Sequence, residues 1–253
     1  PAADTFTVET DGSEALRVDS SQRLLLGDTS VRAVGTVGPT ESKINIETPN
    51  SISAGLNIVW NRSGDDYGPR IRLGKSRTAT VGGSTVVQNG DELGTIQFCG
   101  ADGTDLTNLG AKIQCKVDGT PGSNDMPGRL MFFTSADGSG SPTERLRITK
   151  DGHVSIVADN KKLLIGAGDD LEIYHDGSDS HIDNNTGDLN ITTTGSGDDI
   201  YLTAVDDIFL RVAGGENAIV CSDNGNVELY HNNSKKLETT STGVTVTGTV
   251  SDT

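Results

Sequence analysis

The sequence predicts an all-β, elongated and oligomeric protein built from repeated short strands. Three stretches share one layout, in which an alternating run meets a few polar turn formers and then resumes: EALRVDSSQRLLL (Glu14 to Leu26), ERLRITKDGHVSI (Glu144 to Ile156) and KKLETTSTGVTV (Lys235 to Val246). A second repeat comprises LEIYHDGSDSHI (Leu171 to Ile182) and VELYHNNSKKL (Val227 to Leu237). Repeated units of this kind, without a long helical stretch, are typical of a β-repeat shaft. Because one unit cannot bury its apolar face alone, it must stack on neighbours or on other chains.

The pattern along the chain indicates three segments. Residues 1–47 form an N-terminal short-strand β segment, with strands expected in TFTVET (Thr5 to Thr10), ALRVD, RLLLGD and KINIET (Lys43 to Thr48). Gly, Asp and Pro flank each of these runs and are residues that favour turns.

Residues 48–150 are expected to form a central, β-sandwich-like globular domain. Its strands are longer, as in SAGLNIVWNRSGDD, YGPRIRLGKSR and GRLMFFTSADG, and it holds the single Trp of the chain. A sandwich or small barrel suits strands separated by Gly- and Pro-bearing loops. The best helical candidate, Ala101 to Ile113, amounts to one or two turns at most.

Residues 151–253 return to short repeats and are predicted to be a repetitive β shaft. DDIYLTAVDDIFLRV (Asp198 to Val212) is expected to be one strand whose two faces are both partly apolar. Such a strand is usually covered on both sides, as happens at an interface between chains.

The composition is polar for a folded protein, with 33% hydrophobic and 4% aromatic residues and 32 glycines. Disorder is the alternative for such a sequence, but the clean period-2 runs favour strands. The net charge of −16 argues against nucleic acid as a partner, because phosphates require a Lys/Arg surface, and against docking on anionic lipid. No apolar run is long enough for membrane insertion. Cys99, Cys115 and Cys221 lack CxxC spacing and are interpreted as partly buried free thiols.

Two histidines recur in the second repeat and are the candidate metal ligands. Alternation places Leu171, Ile173 and His175 on one face of a strand, and His231 occupies the matching position in the other copy. If three chains shared an axis, each histidine would occur three times at one level and could bind a metal or an anion. The preferred interpretation is a hydrogen-bonded histidine in a turn. Asp-rich loops are likewise interpreted as turn formers in preference to calcium sites, because the EF-hand spacing is missing.

A loop in the central segment holds the candidate receptor or carbohydrate site. Exposed aromatic residues and polar loop residues are suited to binding sugars, and NRSGDDYGPR is the best such loop. The candidate residues are Trp60, Asn61, Arg62, Asp65, Asp66 and Tyr67. For Trp60 alone, a role as a core anchor is the preferred interpretation.

Three stretches carry a resemblance to a known family. GDELGTIQFCGADGTD (Gly90 to Asp105), AKIQCKVDGTPGSNDMPGRLMFFTSADG (Ala111 to Gly138) and SPTERLRITKDGHVSI (Ser141 to Ile156) resemble a block common in bacteriophage tail fibre and tail spike proteins. In that family the block often lies upstream of a shaft or of an intramolecular chaperone domain. The later LEIYHDGSDSHI and GNVELYHNNSKKLETTSTGVTVTGTV resemble repetitive fibre shafts. The resemblance implies an elongated homotrimeric fibre, with three chains wound around one axis.

The resemblance also implies a function. It suggests a virion structural protein, a tail fibre or tail spike that is assembled in the host cytoplasm, contacts other phage tail proteins and attaches to a host-surface polysaccharide or receptor. The alternatives are a polysaccharide depolymerase tailspike and a capsid-attached fibre or adhesin. We predict no enzyme and no cofactor, because neither a GxSxG elbow nor an HExxH motif is present. The 36 acidic residues nevertheless supply carboxylate pairs of the kind that glycosidases use.

Overall fold

The computed structural model describes residues 5–26, 34, 43–47, 55–61, 63–64, 66–212, 214–223 and 225–250. Over these residues the chain is all-β, with strands in four sheets and no helix. No helix suited to crossing a membrane occurs in this part of the chain. Two compact units divide the chain, residues 1–186 and residues 187–253. The segment boundaries expected at residues 47 and 150 remain predictions.

The first sheet confirms the four short strands predicted near the N-terminus. Its strands, in spatial order, are β1 (Phe6–Thr10), β2 (Ser13–Val18), β3 (Leu24–Leu26) and β4 (Ile44–Ile46). A two-residue loop joins β1 to β2, and both loop residues, Asp11 and Gly12, have positive φ angles of 52° and 73°. Positive φ at both positions is the requirement of a type I′ hairpin turn, which Asp-Gly meets at little cost.

The central sheet is a meander in which each strand pairs antiparallel with the next along the chain. Its strands are β5 (Glu92–Cys99), β6 (Leu109–Val117), β7 (Gly128–Thr134), β8 (Thr143–Ile148) and β9 (Val154–Ile156). The sandwich-like domain expected here therefore consists, in the described residues, of one five-stranded sheet. The short helix considered for residues 101–113 is wrong: a loop precedes β6, which takes up the later part of that stretch.

The long strands predicted before this sheet are not formed. Residues 55–61 and 66–91 contain no strand, although their apolar residues alternate as expected. A strand requires a hydrogen-bonded neighbour as well as a suitable pattern, and the described residues provide none here. Several apolar side chains of this stretch are consequently open to solvent, among them Leu56, Val59 and Ile71.

The remaining two sheets are formed by the second repeat and the residues around it. The three-stranded sheet contains β10 (Leu163–Ile165), β11 (Leu171–His175) and β12 (Ser180–Asn184). The five-stranded C-terminal sheet, in residues 187–253, contains β13 (Ile208–Val212), β14 (Glu216–Cys221), β15 (Val227–His231), β16 (Ser234–Thr240) and β17 (Gly243–Val246). Both copies of the Tyr-His repeat thus form hairpins, β11–β12 and β15–β16.

One prediction in this region is only partly right. The single long strand expected over Asp198 to Val212 is formed only by β13, and residues 198–207 lie outside any strand. Both faces of β13 stay open in this chain, since Phe209 and Leu210 are 44% and 47% exposed. The missing neighbour again explains the difference, because alternation alone does not determine which strand pairs with which.

The buried core is small for a chain of this length. Among the described residues it consists of Leu25, Val87, Leu109, Val117, Met131 and Val220, together with the polar Gln114. The chain exposes 18753 Å² to solvent, whereas a compact monomer of 26.4 kDa exposes roughly 10,600 Å² by the usual scaling of area with mass. Many large apolar side chains of the described residues are also exposed, among them Phe98, Val154 and Leu202.

Candidate functional site

One face of the central sheet carries a continuous row of apolar side chains. The row runs straight across all five strands through paired positions: Ile96, Ile113, Phe132, Leu146 and Ile156. A second, parallel row contains Cys115, Leu130, Ile148 and Val154. We call these two rows the central apolar face. Several of its members remain exposed in the single chain, from 37% for Leu130 and Ile148 to 67% for Val154.

The opposite face of the same sheet mixes polar and apolar side chains, and its polar groups find partners within the chain. Gln114 is only 5% exposed, and its Nε2 donates hydrogen bonds to Glu92 Oε2 at 2.6 Å and to Thr95 Oγ1 at 3.1 Å. Lys112 Nζ lies 4.2 Å from the centroid of the Phe133 ring. Gln114 pairs with Met131, which is 3% exposed, so this part of the opposite face is buried within the chain, whereas several members of the central apolar face remain open.

The C-terminal sheet repeats this design. One apolar residue from each strand forms a row across the sheet: Leu210, Ile219, Leu229, Leu237 and Val246. Leu210 and Val246 keep 47% and 46% of their surface exposed. The same kind of apolar row therefore occurs in both compact units of the chain.

The three-stranded sheet has a shorter version of the same row. Leu163 pairs with Ile173, which pairs with Ile182, and these residues are 49%, 39% and 61% exposed. Apolar residues exposed in register on neighbouring strands are characteristic of interaction surfaces.

The two candidate histidines lie at equivalent places, each at the end of the first strand of its hairpin. His175 pairs with Ser180 and His231 with Ser234, and His175 Nδ1 lies 3.3 Å from Ser180 Oγ. The hydrogen-bonded turn histidine that the sequence favoured therefore agrees with the position of His175. Within the described residues, the one cluster of possible metal ligands contains neither histidine. A shared site formed by several chains stays a prediction.

A side-chain network supports the turn of the first Tyr-His hairpin. Asp176 Oδ1 accepts hydrogen bonds from the backbone N–H groups of Ser178 and Asp179, both at 2.8 Å, and its Oδ2 lies 3.0 Å from His181 Nε2. The pKa of Asp176 is lowered to about 2, mainly by the hydrogen bond from the Asp179 backbone, followed by the bonds from the Ser178 backbone and from His181. The ring of His181 stacks on Tyr174 with centroids 4.6 Å apart. The carboxylate of Asp176 thus stabilises the turn, as the sequence interpretation of Asp-rich loops as turn formers expects.

Two of the candidate carbohydrate-binding residues line a surface groove of about 480 Å³. It is lined by Trp60, Tyr67, Gly68, Pro69, Arg70 and Arg72. Trp60 is 45% exposed and Tyr67 is 64% exposed. In this chain Trp60 therefore does not act as the core anchor that the sequence favoured.

The structure brings together only part of the predicted carbohydrate site. Trp60 and Tyr67 share the groove, whereas Asn61 and Asp66 are exposed and do not line it. Arg62 and Asp65 lie outside the described residues. Arg70 is the last residue of the candidate loop, whereas Arg72 lies beyond it; their spacing of two in an extended segment places both on one side.

A cluster of acidic residues occurs in the C-terminal unit. Ligand oxygens of Asp206, Asp207 and Asp223 lie within 4.8 Å of one another. Asp207 Oδ1 also accepts a hydrogen bond from the backbone N–H of Asp223 at 3.0 Å. A hydrogen bond from a backbone N–H to an aspartate carboxylate is the usual means by which Asp stabilises a turn.

The three cysteines are free and half-buried, as predicted. Cys115 lies on the central apolar face between Gly94 and Leu130, and Cys221 pairs with Ile208 and Val227. At these positions a thiol packs as a small apolar group.

Comparison with known proteins gives matches among solved structures. No protein-family model matches the chain, and no curated protein matches it significantly. The carboxy-terminal domain of the bacteriophage T5 L-shaped tail fibre, solved with its intramolecular chaperone domain, is similar over 78% of this chain, at 17% identity and a TM-score of 0.50. This chain spans about half, 52%, of that structure. The same T5 domain solved as a separate structure matches over 73% of both chains at 19% identity, with a TM-score of 0.49. The chain thus has an all-β fold similar to that of a phage tail fibre domain.

Proposed function

We propose that the chain is a structural segment of a bacteriophage tail fibre or spike, located in the virion tail, that forms a homotrimer and contributes to host attachment. The observation that carries this proposal is the apolar row that crosses every strand of the central sheet and recurs in the C-terminal sheet. The fold similarity to the T5 fibre domain supports the same assignment. That T5 protein is a tail fibre by its description.

The exposed area favours assembly over a solitary chain. The chain exposes about 8,000 Å² more than a compact monomer of its mass would. Obligate interfaces bury about 2,000–5,000 Å² or more, so the excess area is large enough for such an interface. Partner copies placed against the central apolar face would cover side chains such as Ile96, which is 51% exposed, and Val154. Three identical chains around an axis would bring identical apolar rows together.

The remaining partners follow from the role of a fibre segment. Its ends would contact other proteins of the phage tail, and assembly would take place in the host cytoplasm. Free thiols at Cys99, Cys115 and Cys221 suit a reducing compartment.

Host attachment would involve the groove beside Trp60 and Tyr67. Exposed aromatic side chains with neighbouring polar groups are the usual composition of a ligand-binding surface. We expect this groove to contact a saccharide of the host surface, with Asn61 and Asp66 at its margin.

Three kinds of measurement test this proposal. Native mass spectrometry and light scattering on the purified chain should give three times 26.4 kDa, and a stable monomer at micromolar concentration would overturn the trimer. Labelled protein should bind to cells of a susceptible bacterial strain and compete with phage adsorption. Failure to bind any strain in a broad panel would remove the role in attachment. Since the role is structural, incubation with host polysaccharide should release no new reducing ends; their release would instead identify a depolymerase.

A further inference from the structure

The groove beside Trp60 combines two chemical features, aromatic rings and arginine side chains. Its floor and walls include the exposed rings of Trp60 and Tyr67, and the same groove is lined by the guanidinium side chains of Arg70 and Arg72. The chain as a whole carries a net charge of −16. Two arginines directed at one concavity therefore form a local positive site on a negative surface.

The guanidinium groups of Arg70 and Arg72 are available to a ligand. Arg70 lies over the ring of Tyr67, with its guanidinium carbon 5.2 Å from the ring centroid. Among the residues that the structure describes, neither Arg70 nor Arg72 is held in an ion pair. By contrast, many other arginines of the chain are engaged, such as Arg147 with Glu144. A guanidinium held in place by an aromatic ring keeps its donors available for a ligand.

The ligand chemistry follows from these groups. A planar guanidinium binds carboxylate or phosphate through two parallel hydrogen bonds, which are about twice as strong as neutral ones. The rings offer an apolar surface suited to the C–H face of a sugar ring. Asp66, at the margin of the groove, forms no ion pair with either arginine, and acidic residues beyond about 8 Å are largely screened at physiological ionic strength.

We propose that this groove binds an anionic saccharide, with the sugar ring against Trp60 and Tyr67 and its acid group on Arg70 and Arg72. The inference rests on the proposed role in host attachment and names the class of ligand for it. Uronic-acid carboxylates and phosphorylated sugars present the same chemistry to the two arginines, and the test separates these two sources.

The single tryptophan of the chain gives a direct readout, because the intrinsic fluorescence of Trp60 reports on this groove alone. The assembled protein is titrated with an oligogalacturonate hexamer, with a mannose 6-phosphate-bearing oligosaccharide and with a neutral isomaltohexaose. At least one anionic probe should change the fluorescence emission of Trp60 at a concentration that is lower than that of the neutral probe by about tenfold or more. The probe that binds more tightly identifies carboxylate or phosphate as the natural group.

Variants establish which residues carry the preference. R70Q and R72Q should each weaken binding of the anionic probe by about tenfold, and the double variant should bind anionic and neutral probes alike. R211Q is the matched control, because Arg211 also lies over an aromatic ring, 4.6 Å from the centroid of Phe209, but does not line the groove. It should bind the probes as the parent protein does.

Three results would overturn the inference: no response to any probe, an equal response to neutral and anionic probes, or unchanged anionic binding by the R70Q/R72Q variant. A cell-binding assay distinguishes failure of the anionic-saccharide groove from failure of the proposed role in host attachment. If the double variant binds bacterial cells as well as its parent, the inference is wrong and attachment stands. If anionic probes bind but the parent protein binds no cells, the groove is confirmed as a saccharide site and attachment is wrong.

Discussion

Val154 offers the sharpest test of the proposed assembly, because it separates the fold of one chain from the contact between chains. It lies on the edge strand β9 at the end of the row that contains Leu130 and Ile148, and it is 67% exposed in the single chain. A carboxylate at this position would be solvated in a monomer, so Val154→Asp should change the stability of an isolated chain by only about 0.5 kcal/mol. In a trimer that covers this face, the same carboxylate would be buried.

The expected loss can be worked from the exposure. Full burial of a valine side chain contributes about 1.5–3 kcal/mol, and two thirds of this side chain is still available for contact, so partner chains would add about 1–2 kcal/mol per copy. Asp removes that contribution and adds the cost of an unpaired buried charge, which is several kcal/mol. Over three copies the trimer should lose on the order of 10 kcal/mol or more, enough to dissociate it.

Sedimentation velocity and thermal unfolding at several protein concentrations measure this effect. Ser155→Asp is the matched control, since Ser155 is the next residue on the same strand, faces the opposite side and pairs with Arg147. Ile96→Asp repeats the test on the other edge strand, β5. We expect Val154→Asp and Ile96→Asp to abolish the trimer and Ser155→Asp to retain it. If both apolar-face variants assemble as well as the control, the central apolar face is not the interface.

Three further predictions concern stability. Gln114→Leu should lower the free energy of unfolding by about 1–3 kcal/mol, because it removes the buried donor to Glu92; urea denaturation measures this, and an equal loss in the exposed control Gln88→Leu would contradict it. Asn232→Val should cost about 1–2 kcal/mol, because Asn232 has a φ of 50° that a branched residue adopts with strain; calorimetry should show no such loss for Ser241→Val, at a turn position without positive φ. The pKa of Asp176 is lowered from its ordinary 3.8 to about 2, so its charged form stabilises the fold above pH 3.8 and this contribution is lost as the pH falls toward 2. Melting temperatures of the parent and of Asp176→Asn should therefore differ at pH 6 and converge near pH 2, and a difference that persists at pH 2 would be inconsistent with this role.

Local pattern predicted the parts of the fold that depend on local sequence. The strands at Phe6–Thr10 and Ile44–Ile46 were expected from alternation and flanking turn residues, and both Tyr-His repeats form hairpins as expected. In these places the turn chemistry lies within a few residues of the strands that it joins, so one short stretch contains the information.

The errors arose where structure depends on distant neighbours. Residues 55–61 and 198–207 have the pattern of strands but no strand pairs with them in the described chain. The groove shows the same limit, because the loop that ends at Arg70 was recognised from its sequence while Arg72, which also lines the groove, was not. Strand pairing and the shape of a groove depend on residues that are distant in the sequence, and the local pattern of one sequence does not specify them.

The meander order of the sheets has a consequence for how the protein is produced. Because each strand of the central and C-terminal sheets pairs with its immediate successor, loop closure is short and each sheet can form quickly within one chain. Encounter between chains is slower and depends on concentration. If the chain assembles in the host cytoplasm as proposed, each new chain would during that interval expose its apolar rows to other proteins, where they could bind the wrong partner. Yield of correctly assembled protein should thus be set by competition between association and aggregation, and it should rise when synthesis is slowed.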